Sequence, residues 1–201
     1  IREHTVDVLP GTPSMYAELS KLPTAKKLEL KDPKYLAAGS RLDQSVADGF
    51  LAEYGIRILS CYHSTEAATI ALEDTGKYPT TVGKPIDGVD LKITDDEGRR
   101  APEDGRTFGR LKVRGPIVAG AYFKGAGGEI LDEEGFFDTG DVATIDPDGF
   151  MQITDRAKDV IKSGGEWISS VEIENLAMSH PKALIAAVIG VAHPKWDERP
   201  L

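Results

Sequence analysis

The stretch DRAKDVIKSGGEWISS, residues 155–170, combines basic side chains, adjacent glycines and an aromatic ring. The basic residues are Arg156, Lys158 and Lys162, the glycines are Gly164 and Gly165, and the ring is Trp167. Fixed cations suit an anionic ligand, and glycines let the backbone approach a ligand closely. The alternative interpretation is a solvated turn before a helix, with Ser169 or Ser170 as the N-cap and the tryptophan in the core.

A second candidate is the stretch CYHSTEA, residues 61–67, which directly follows a predicted apolar strand. Open α/β sheets bind ligands at the carboxyl ends of their strands. Tyr62 offers a flat face for stacking a base, Ser64 and Thr65 offer hydroxyl groups for phosphate oxygens, and Glu66 offers a hard oxygen for Mg²⁺. The alternative is a polar turn in which Ser64 or Thr65 caps a helix.

Asp141 ends a third stretch, FFDTGD, on a tight glycine turn. A carboxylate can accept two hydrogen bonds, so this position suits a vicinal diol, and a plain hairpin turn is the alternative. The glycines in residues 39–42 and 125–128 lack the spacing of a phosphate-cradling loop. Together, a base-stacking ring, a metal-binding acid, a diol-binding acid and a set of cations predict a nucleotide site.

The first part of the chain alternates between strand and helix patterns. HTVDVLPGTP is predicted to be a short strand closed by a turn, and further strands are predicted at KYLAAGS up to Gly39 and at Ile56–Cys61. Helices are predicted after the N-cap Thr12 and between Asp43 and Gly55. Residues with helical spacing are Met15, Leu19 and Leu22 in the first helix and Val46, Phe50 and Tyr54 in the second. Strand, helix and strand with short connections predict a layered α/β domain.

From Val82 the pattern changes to short alternating strands joined by turns rich in aspartate and glycine. A helix over residues 170–180 and an apolar strand over residues 183–191 are predicted after that. The predicted fold is α/β with a β-rich subdomain of distorted-barrel form, followed by the start of a small α+β C-terminal domain. The large domain is placed at 1–154, with parts 1–81 and 82–154, and the C-terminal domain at 155–201.

Charge and composition argue against several kinds of protein. A net charge of −9 argues against binding to nucleic acid or to an anionic membrane surface. The single cysteine excludes an internal disulfide and predicts a reducing compartment, which we take to be the cytoplasm. Four scattered histidines lack metal-ligand spacing. The apolar run at 183–192 is far shorter than the ~20 residues that span a bilayer, which predicts a buried strand and no integral membrane segment.

Four motifs, YHSTE, FFDTGD, DRAKDVIKSGGEWISSVEIE and HPKWDERPL, stand in the order of the later motifs of the adenylate-forming superfamily. The chain therefore resembles acyl-CoA synthetases, luciferases and peptide-synthetase adenylation domains, and its last two motifs are typical of medium- and long-chain fatty-acyl-CoA synthetases. The resemblance implies ATP-dependent conversion of a carboxylic acid to an acyl-adenylate and transfer of the acyl group to coenzyme A. The implied cofactors are ATP/AMP, Mg²⁺ and coenzyme A, and the implied substrate is a fatty or other carboxylic acid.

The resemblance also implies roles for individual residues. Those expected to contact the nucleotide are Gly39, Ser40, Ser60, Cys61, Tyr62, His63, Thr65, Asp141, Arg156, Lys158, Lys162 and Trp167. Tyr62 would lie against adenine, Thr65 would touch phosphate, and Asp141 would accept the ribose hydroxyls. Thr65, Glu66 and Lys162 would act in catalysis, and Glu66 would hold Mg²⁺. Gly164 and Gly165 would line the pantetheine tunnel, and Asp155 would be the hinge of a mobile C-terminal domain.

The chain departs from the family pattern at several points. The family's phosphate loop belongs before Ile1 and its C-terminal catalytic lysine after Leu201, so we expect a piece of a longer protein that is at best weakly active alone. Each missing electrostatic donor would cost ~3–4 kcal/mol of barrier. His63 stands where glycine is usual, and one glycine of a usual pair is missing beside Ser40.

Two alternatives to a fatty-acyl-CoA synthetase stay open. One is a non-catalytic nucleotide-binding or interaction fragment, and the other is an adenylating enzyme with a different acid or acceptor. A β-α-β segment separated from its neighbours would also expose sheet edges and apolar faces. We therefore expect the fragment to associate, with a homodimer as one form.

Overall fold

The computed structural model describes residues 8–20, 34–37, 44–55, 57–73, 75, 81–178, 180 and 182–201. In these ranges the strands are β1 (Val8–Gly11), β2 (Lys34–Ala37), β3 (Ile58–Ser64), β4 (Ala68–Glu73), β5 (Lys84–Pro85), β6 (Asp90–Thr94), β7 (Gly109–Arg114), β8 (Phe137–Ile145), β9 (Met151–Arg156), β10 (Ile161–Ser163), β11 (Glu166–Ile168), β12 (Gly190–His193) and β13 (Asp197–Pro200). The helices are α1 (Pro13–Ser20), α2 (Gln44–Tyr54) and α3 (Ser170–Met178). None of these helices is long and apolar enough to cross a membrane.

The chain divides into two compact units. Unit 1 comprises Ile1–Asp90, Gly115–Ala119 and Asp148–Gln152, and unit 2 comprises Leu91–Arg114, Gly120–Pro147 and Ile153–Leu201. Unit 1 contains a five-stranded sheet in the order β1-β2-β3-β4-β5. Strands β1, β2 and β3 are parallel, whereas β4 pairs antiparallel with β3 and with β5. Because α1 and α2 lie between successive parallel strands in the sequence, the predicted β-α-β pattern is confirmed.

The start of α1 and the end of α2 lie where the sequence predicts them. Thr12 caps α1, since its hydroxyl accepts a hydrogen bond from the Met15 N–H at 3.3 Å. Gly55 ends α2 with a φ of +67°, which favours glycine. The predicted face of α1 is confirmed at Leu19, which packs against the core, but is wrong at Met15, which is 60% exposed while Tyr16 is buried. Leu22 lies outside the described residues.

Tyr16, Phe50 and Ile58 form the centre of the apolar core in unit 1. The rings of Tyr16 and Phe50 meet edge to face with centroids 5.7 Å apart. The Tyr16 hydroxyl donates a hydrogen bond to the Leu9 carbonyl at 2.6 Å, so the ring can be buried without leaving its polar end unpaired. Val46 and Tyr54 pack against this cluster, which confirms the predicted apolar face of α2.

The β-rich subdomain does not close into a barrel. Strands β6 to β9 form an open four-stranded sheet in sequence order. Closure would require β6 to pair with β9, and these two strands are instead the opposite edges of the sheet. The predicted strand-rich character is therefore confirmed, and the distorted-barrel form is wrong for the described residues.

A charged cluster fastens the segment before β8 to this sheet. The buried Lys92 donates a hydrogen bond to Glu134 and lies over the ring of Phe136, while Lys112 donates to Asp132. Burial alone raises the pKa of the Asp132 carboxyl, but the Phe136 N–H hydrogen bond and the Lys112 and Lys92 charges outweigh it and lower the pKa to about 2. Since the pKa is lowered on folding, this stabilisation is complete above a pH of about 4 and is lost as the pH falls towards 2.

The last part of unit 2 forms a second four-stranded sheet, in the order β11-β10-β13-β12, with α3 between β11 and β12 in the sequence. The apolar run at 183–191 is not the buried strand that the sequence predicts. Only Gly190–His193 is a strand, and Leu184 is 91% exposed. β12 begins at Gly190, where it pairs with β13, and before it the Val188 N–H donates to the Glu174 side chain at 2.9 Å rather than to a neighbouring strand.

Candidate functional site

The stretch CYHSTEA lies at the carboxyl end of a parallel strand, as predicted, but the strand is longer than predicted. β3 continues through Ser64, and Thr65 begins the turn that joins it to the antiparallel strand β4. The pairing shifts between Tyr62 and His63, which marks a β-bulge. Neither Ser64 nor Thr65 caps a helix here, so this alternative is wrong, and the turn projects from the sheet edge that binds ligands in open α/β folds.

Burial separates the candidate residues of β3 into two groups. Ser60 and Cys61 are buried, so their side chains are not open to a ligand. Burial raises the pKa of the Cys61 thiol, which makes this thiol a poor nucleophile. Tyr62 is half-buried, and His63 is exposed on the strand. The side chains available to a ligand on β3 are therefore those that follow Cys61.

The Thr65–Glu66 turn is fixed by its main chain. The Glu66 carbonyl accepts a hydrogen bond from the Ala119 N–H at 2.7 Å, within unit 1. Thr65 is exposed and Glu66 is half-buried. Among the described residues, no group of three or more His, Cys, Asp or Glu side chains could hold a metal ion. A single carboxylate in this position fits Mg²⁺, which proteins usually bind through one or two carboxylates together with substrate phosphates and water.

Gly39 and Ser40 lie outside the described residues. Their predicted contact with the nucleotide stays a prediction.

In unit 2 the structure brings two separately predicted residues together. The Asp141 carboxylate and the Arg156 guanidinium form an ion pair at 2.9 Å, with side chains that are 7% and 61% exposed. Gly140, with a φ of +73°, turns β8 before Asp141, and its carbonyl accepts a hydrogen bond from the Ala157 N–H at 2.9 Å. The pair thus presents a fixed, shielded carboxylate and a more accessible cation from adjacent strands.

The Asp155 carboxylate is buried and serves as a structural acceptor at the start of α3. Its Oδ2 accepts hydrogen bonds from the Ser170 N–H at 2.7 Å and the Ser170 hydroxyl at 2.9 Å, and its Oδ1 accepts one from the Arg156 N–H. The Ser169 hydroxyl accepts the Glu172 N–H and donates to the Thr154 carbonyl. The N-cap predicted at Ser169 or Ser170 is therefore confirmed at Ser169, and Asp155 ties the helix to β9.

We expect Asp155→Ala to lower the free energy of unfolding of unit 2 by about 2 kcal/mol, because the buried Ser170 N–H and hydroxyl would lose their acceptor. Hydrogen exchange of the first turn of α3 would measure this local loss directly. Asp159→Ala is the matched control, since Asp159 is exposed in the turn after β9. Equal protection of α3 in both variants would contradict the structural role of Asp155.

The two glycines form a hairpin turn rather than an open loop. Gly164 and Gly165 have φ values of +63° and +88° between β10 and β11, which is the geometry of a two-residue type I′ turn. A Cβ atom on Gly164 would lie 2.8 Å from Trp196 Cε3, whose residue also accepts the Gly164 N–H through its carbonyl. The fold thus requires glycine at 164, whereas a Cβ on Gly165 would meet no heavy atom of the described residues within 4 Å.

Lys162 and Trp167 face each other across this hairpin. The Lys162 ammonium lies 5.1 Å from the centre of the Trp167 ring, which is half-buried, and forms an ion pair with Asp96. The Lys162 N–H donates a hydrogen bond to Glu198 at 2.9 Å. Lys158 lies apart from these groups, exposed in the turn after β9. The predicted cations are therefore spread over a strand end, a turn and a hairpin.

The Ser64 hydroxyl, which the sequence offers for phosphate oxygens, is buried and has no hydrogen-bond partner among the described residues, so it stays a candidate contact beside Thr65. Asp96 was not among the predicted site residues. Asp96 pairs with Lys162 across 66 positions of sequence, and no local pattern indicates such a contact.

Comparison with known proteins places these features in a family. The model of the family described as AMP-binding enzyme matches residues 1–123. A 3-methylmercaptopropionyl-CoA ligase of Ruegeria lacuscaerulensis is 43% identical over 100% of this chain and 40% of its own length. A medium-chain-fatty-acid–CoA ligase of Ectopseudomonas oleovorans is 45% identical over 84% of this chain and 33% of its own length.

The fold agrees with that of a solved structure. ATP-bound MatB from Rhodopseudomonas palustris superimposes with a TM-score of 0.81 at 28% identity, over 96% of this chain and 39% of MatB. The chain thus spans two fifths or less of the length of these relatives. Since the family match covers more than half of its residues, this chain belongs to the family of AMP-binding enzymes, and acyl-CoA ligases are among its relatives.

Proposed function

We propose that this chain is part of an AMP-forming acyl-CoA synthetase that activates a fatty acid. In the first half-reaction a carboxylate oxygen attacks the α-phosphorus of ATP, the bond to pyrophosphate breaks, and an acyl-adenylate forms. In the second, the thiol sulfur of coenzyme A attacks the acyl carbon, the thiol proton is lost to solvent, and AMP leaves. Neither step needs a protein nucleophile, so the chain contributes binding, orientation and charge.

The observation that carries this proposal is the Asp141–Arg156 pair. A carboxylate can accept hydrogen bonds from both hydroxyls of a ribose, and a guanidinium can donate to ribose or phosphate oxygens. Asp141 is shielded on a glycine turn, and Arg156 holds it at 2.9 Å while most of its own side chain is exposed. A fixed acceptor beside an accessible donor suits a sugar diol. The alternative of a plain hairpin turn is wrong, because Gly140 and Asp141 lie inside strand β8, where its pairing with β7 is irregular.

In unit 1 the proposed contacts follow the order of β3 and its turn. Tyr62 would stack on adenine, and the main chain of Ser60, Cys61 and His63 would approach the base and the phosphate. Thr65 would donate a hydrogen bond to a phosphate oxygen. Glu66 would hold Mg²⁺, which when bound would neutralise charge on the phosphates. Gly39 and Ser40 would border the adenine.

In unit 2 the hairpin would serve both half-reactions. Lys158, Lys162 and Trp167 would meet the nucleotide when the acyl-adenylate forms, and Gly164 and Gly165 would line the path of the pantetheine arm when the thioester forms. Asp155 would be the pivot between these arrangements. The cytoplasmic location and the homodimer stay predictions.

The identity of the acid depends on His63. Where the motif usually has glycine, this chain has an exposed imidazole on β3, next to the candidate Tyr62. The added bulk supports a second candidate, an adenylating enzyme whose acid is smaller than a fatty acid. The relative named for a medium-chain fatty acid supports the first candidate.

Steady-state assays of the full-length protein would test the function. Pyrophosphate release would be followed with ATP, Mg²⁺ and one acid from a panel of octanoate, 3-methylmercaptopropionate and benzoate, and hydroxylamine would trap the acyl-adenylate. We expect the highest kcat/KM with octanoate, loss of activity with a chelator, and acyl-CoA after addition of coenzyme A. The second candidate would be favoured if the wild type prefers a non-fatty acid and His63→Gly raises kcat/KM for octanoate relative to that acid. Calorimetric binding of AMP without pyrophosphate release from any acid would instead indicate a non-catalytic nucleotide-binding protein.

A further inference from the structure

The ammonium group of Lys162 is held by two partners within unit 2. Its Nζ lies 2.5 Å from Asp96 Oδ2 and 5.1 Å from the centre of the Trp167 ring. Lys162 and Trp167 are directly paired in the register of β10 and β11. The Asp96 carboxylate therefore neutralises the Lys162 ammonium, which the proposed function assigns to the nucleotide. In the same arrangement Lys162 lies over the ring of Trp167, which is also a proposed nucleotide contact.

Asp96 differs from the neighbouring acids of its turn because its carboxylate pairs with a residue outside the turn. Three consecutive acids, Asp95, Asp96 and Glu97, follow β6. Arg99 lies at the end of the same turn and donates hydrogen bonds to Asp95 at 2.7 Å and to Glu97 at 2.8 Å. The flanking acids thus share one cation within the turn, whereas Asp96 pairs with a lysine 66 positions away.

The pair also joins segments on either side of the predicted hinge. Asp96 follows β6 in the open sheet, and Lys162 lies on β10, where its N–H is fixed by Glu198 and its strand pairs with β13. Any rotation about Asp155 that carries β10 away from β6 must separate the Lys162 ammonium from the Asp96 carboxylate. The contact can therefore exist in only one arrangement of the two segments.

We propose that the Asp96–Lys162 pair is an autoinhibitory contact that withholds Lys162 from the nucleotide phosphates until ATP displaces the carboxylate. The proposal rests on the proposed function. Both side chains are 40% exposed, so the pair is weakened by solvent and changes an equilibrium by only about two- to fivefold. A polyphosphate carries more negative charge than one carboxylate and can displace it, which makes the contact a reversible brake rather than a block.

Calorimetry of AMP and ATP binding to the full-length protein would test this contact. We expect Asp96→Asn to lower the Kd for ATP by about two- to fivefold, because the variant removes the competitor and keeps the shape of the side chain. Glu97→Gln is the matched control, since it removes one negative charge from the same turn but from the partner of Arg99. The Kd of the Glu97→Gln variant for ATP should equal that of the wild type. In a Lys162→Met background, Asp96→Asn should leave the Kd unchanged.

Each other outcome contradicts a defined part of the proposal. If the wild type binds ATP and Asp96→Asn binds it with the same Kd, the autoinhibitory contact is wrong and the proposed function stands. A similar tightening by Glu97→Gln, or by Asp96→Asn in the Lys162→Met background, would show a general charge effect and would also overturn the contact. If the wild type binds neither nucleotide, the proposed function fails and the contact fails with it.

Discussion

Asp141→Ala is expected to lower kcat/KM for acyl-adenylate formation by about 10²- to 10³-fold, because a single pre-organised electrostatic partner is commonly worth this much. The buried carboxylate would accept the ribose hydroxyls, and its removal would leave them without that acceptor in a shielded position. Asp141→Asn should lose most of the same activity, since an amide oxygen lacks the charge and the amide nitrogen donates where an acceptor is needed. Pyrophosphate release by the full-length protein would measure both.

Asp138→Asn provides a control on the same strand. Asp138 forms its own ion pair with Arg110 at 2.9 Å and lies three residues before Asp141 on β8. The substitution removes an aspartate–arginine pair from β8 and keeps the support of the proposed ribose acceptor, because the amide oxygen that replaces Asp138 Oδ1 can still accept the Gly140 N–H, which the carboxylate binds at 2.9 Å. We expect near wild-type kcat/KM for this variant. Equal losses in the Asp138 and Asp141 variants would mean that the strand, and not the proposed diol contact, determines activity.

Local rules in the sequence predicted the elements of unit 1 well, because their causes are local. Thr12 caps α1 through its own side chain, and Gly55 ends α2 through its own backbone conformation. The apolar spacing in α2 placed Phe50 in the core. The face of α1 was misjudged, because Tyr16 is held by a hydrogen bond to Leu9 that helical spacing does not encode.

The misjudged parts of unit 2 depend on partners distant in the sequence. A run such as 183–191 has the composition of a strand, but a strand also requires a neighbour, and β12 begins only where β13 pairs with it. Closure of β6 to β9 into a barrel depends on strand number and stagger, which alternation within each strand does not determine. The residue types in a segment thus indicate which face of a strand or helix each residue can occupy, whereas pairing with a distant strand determines whether a strand forms at all.

The candidate site shows the same division between local and distant causes. YHSTE placed its residues at a strand end from local pattern alone. FFDTGD predicted the special backbone of Gly140, with a φ of +73°, but the glycine lies in an irregularity within β8 and not in a turn before a strand. The pairing of Asp141 with Arg156, and that of Lys162 with Asp96, joins residues from separate strands or turns. Individual ligands of the proposed nucleotide could therefore be predicted, whereas the contacts that position or restrain them could not.

Gly83→Ala is expected to have the largest effect on stability, lowering the free energy of unfolding of unit 1 by roughly 4 kcal/mol. Gly83 is buried with a φ of +84°, and a Cβ atom there would overlap the Leu72 carbonyl group and the Glu73 nitrogen. These are backbone atoms of β4, so no side-chain rotation can relieve the overlap. Separation of Gly83 from β4 would also strain its hydrogen bond with the Met151 N–H at 2.8 Å.

Gly149→Ala separates the cost of the backbone conformation from the cost of the overlap. Gly149 has a nearly identical φ of +83°, but a Cβ atom there would meet no heavy atom of the described residues within 4 Å. It should therefore lose only about 1 to 2 kcal/mol, the ordinary penalty for a side chain in the left-handed region. Urea unfolding followed by hydrogen exchange of the β4–β5 amides would compare the two variants. Equal losses would show that β4 can move away from residue 83, and the tight packing of this edge of the sheet would be disproved.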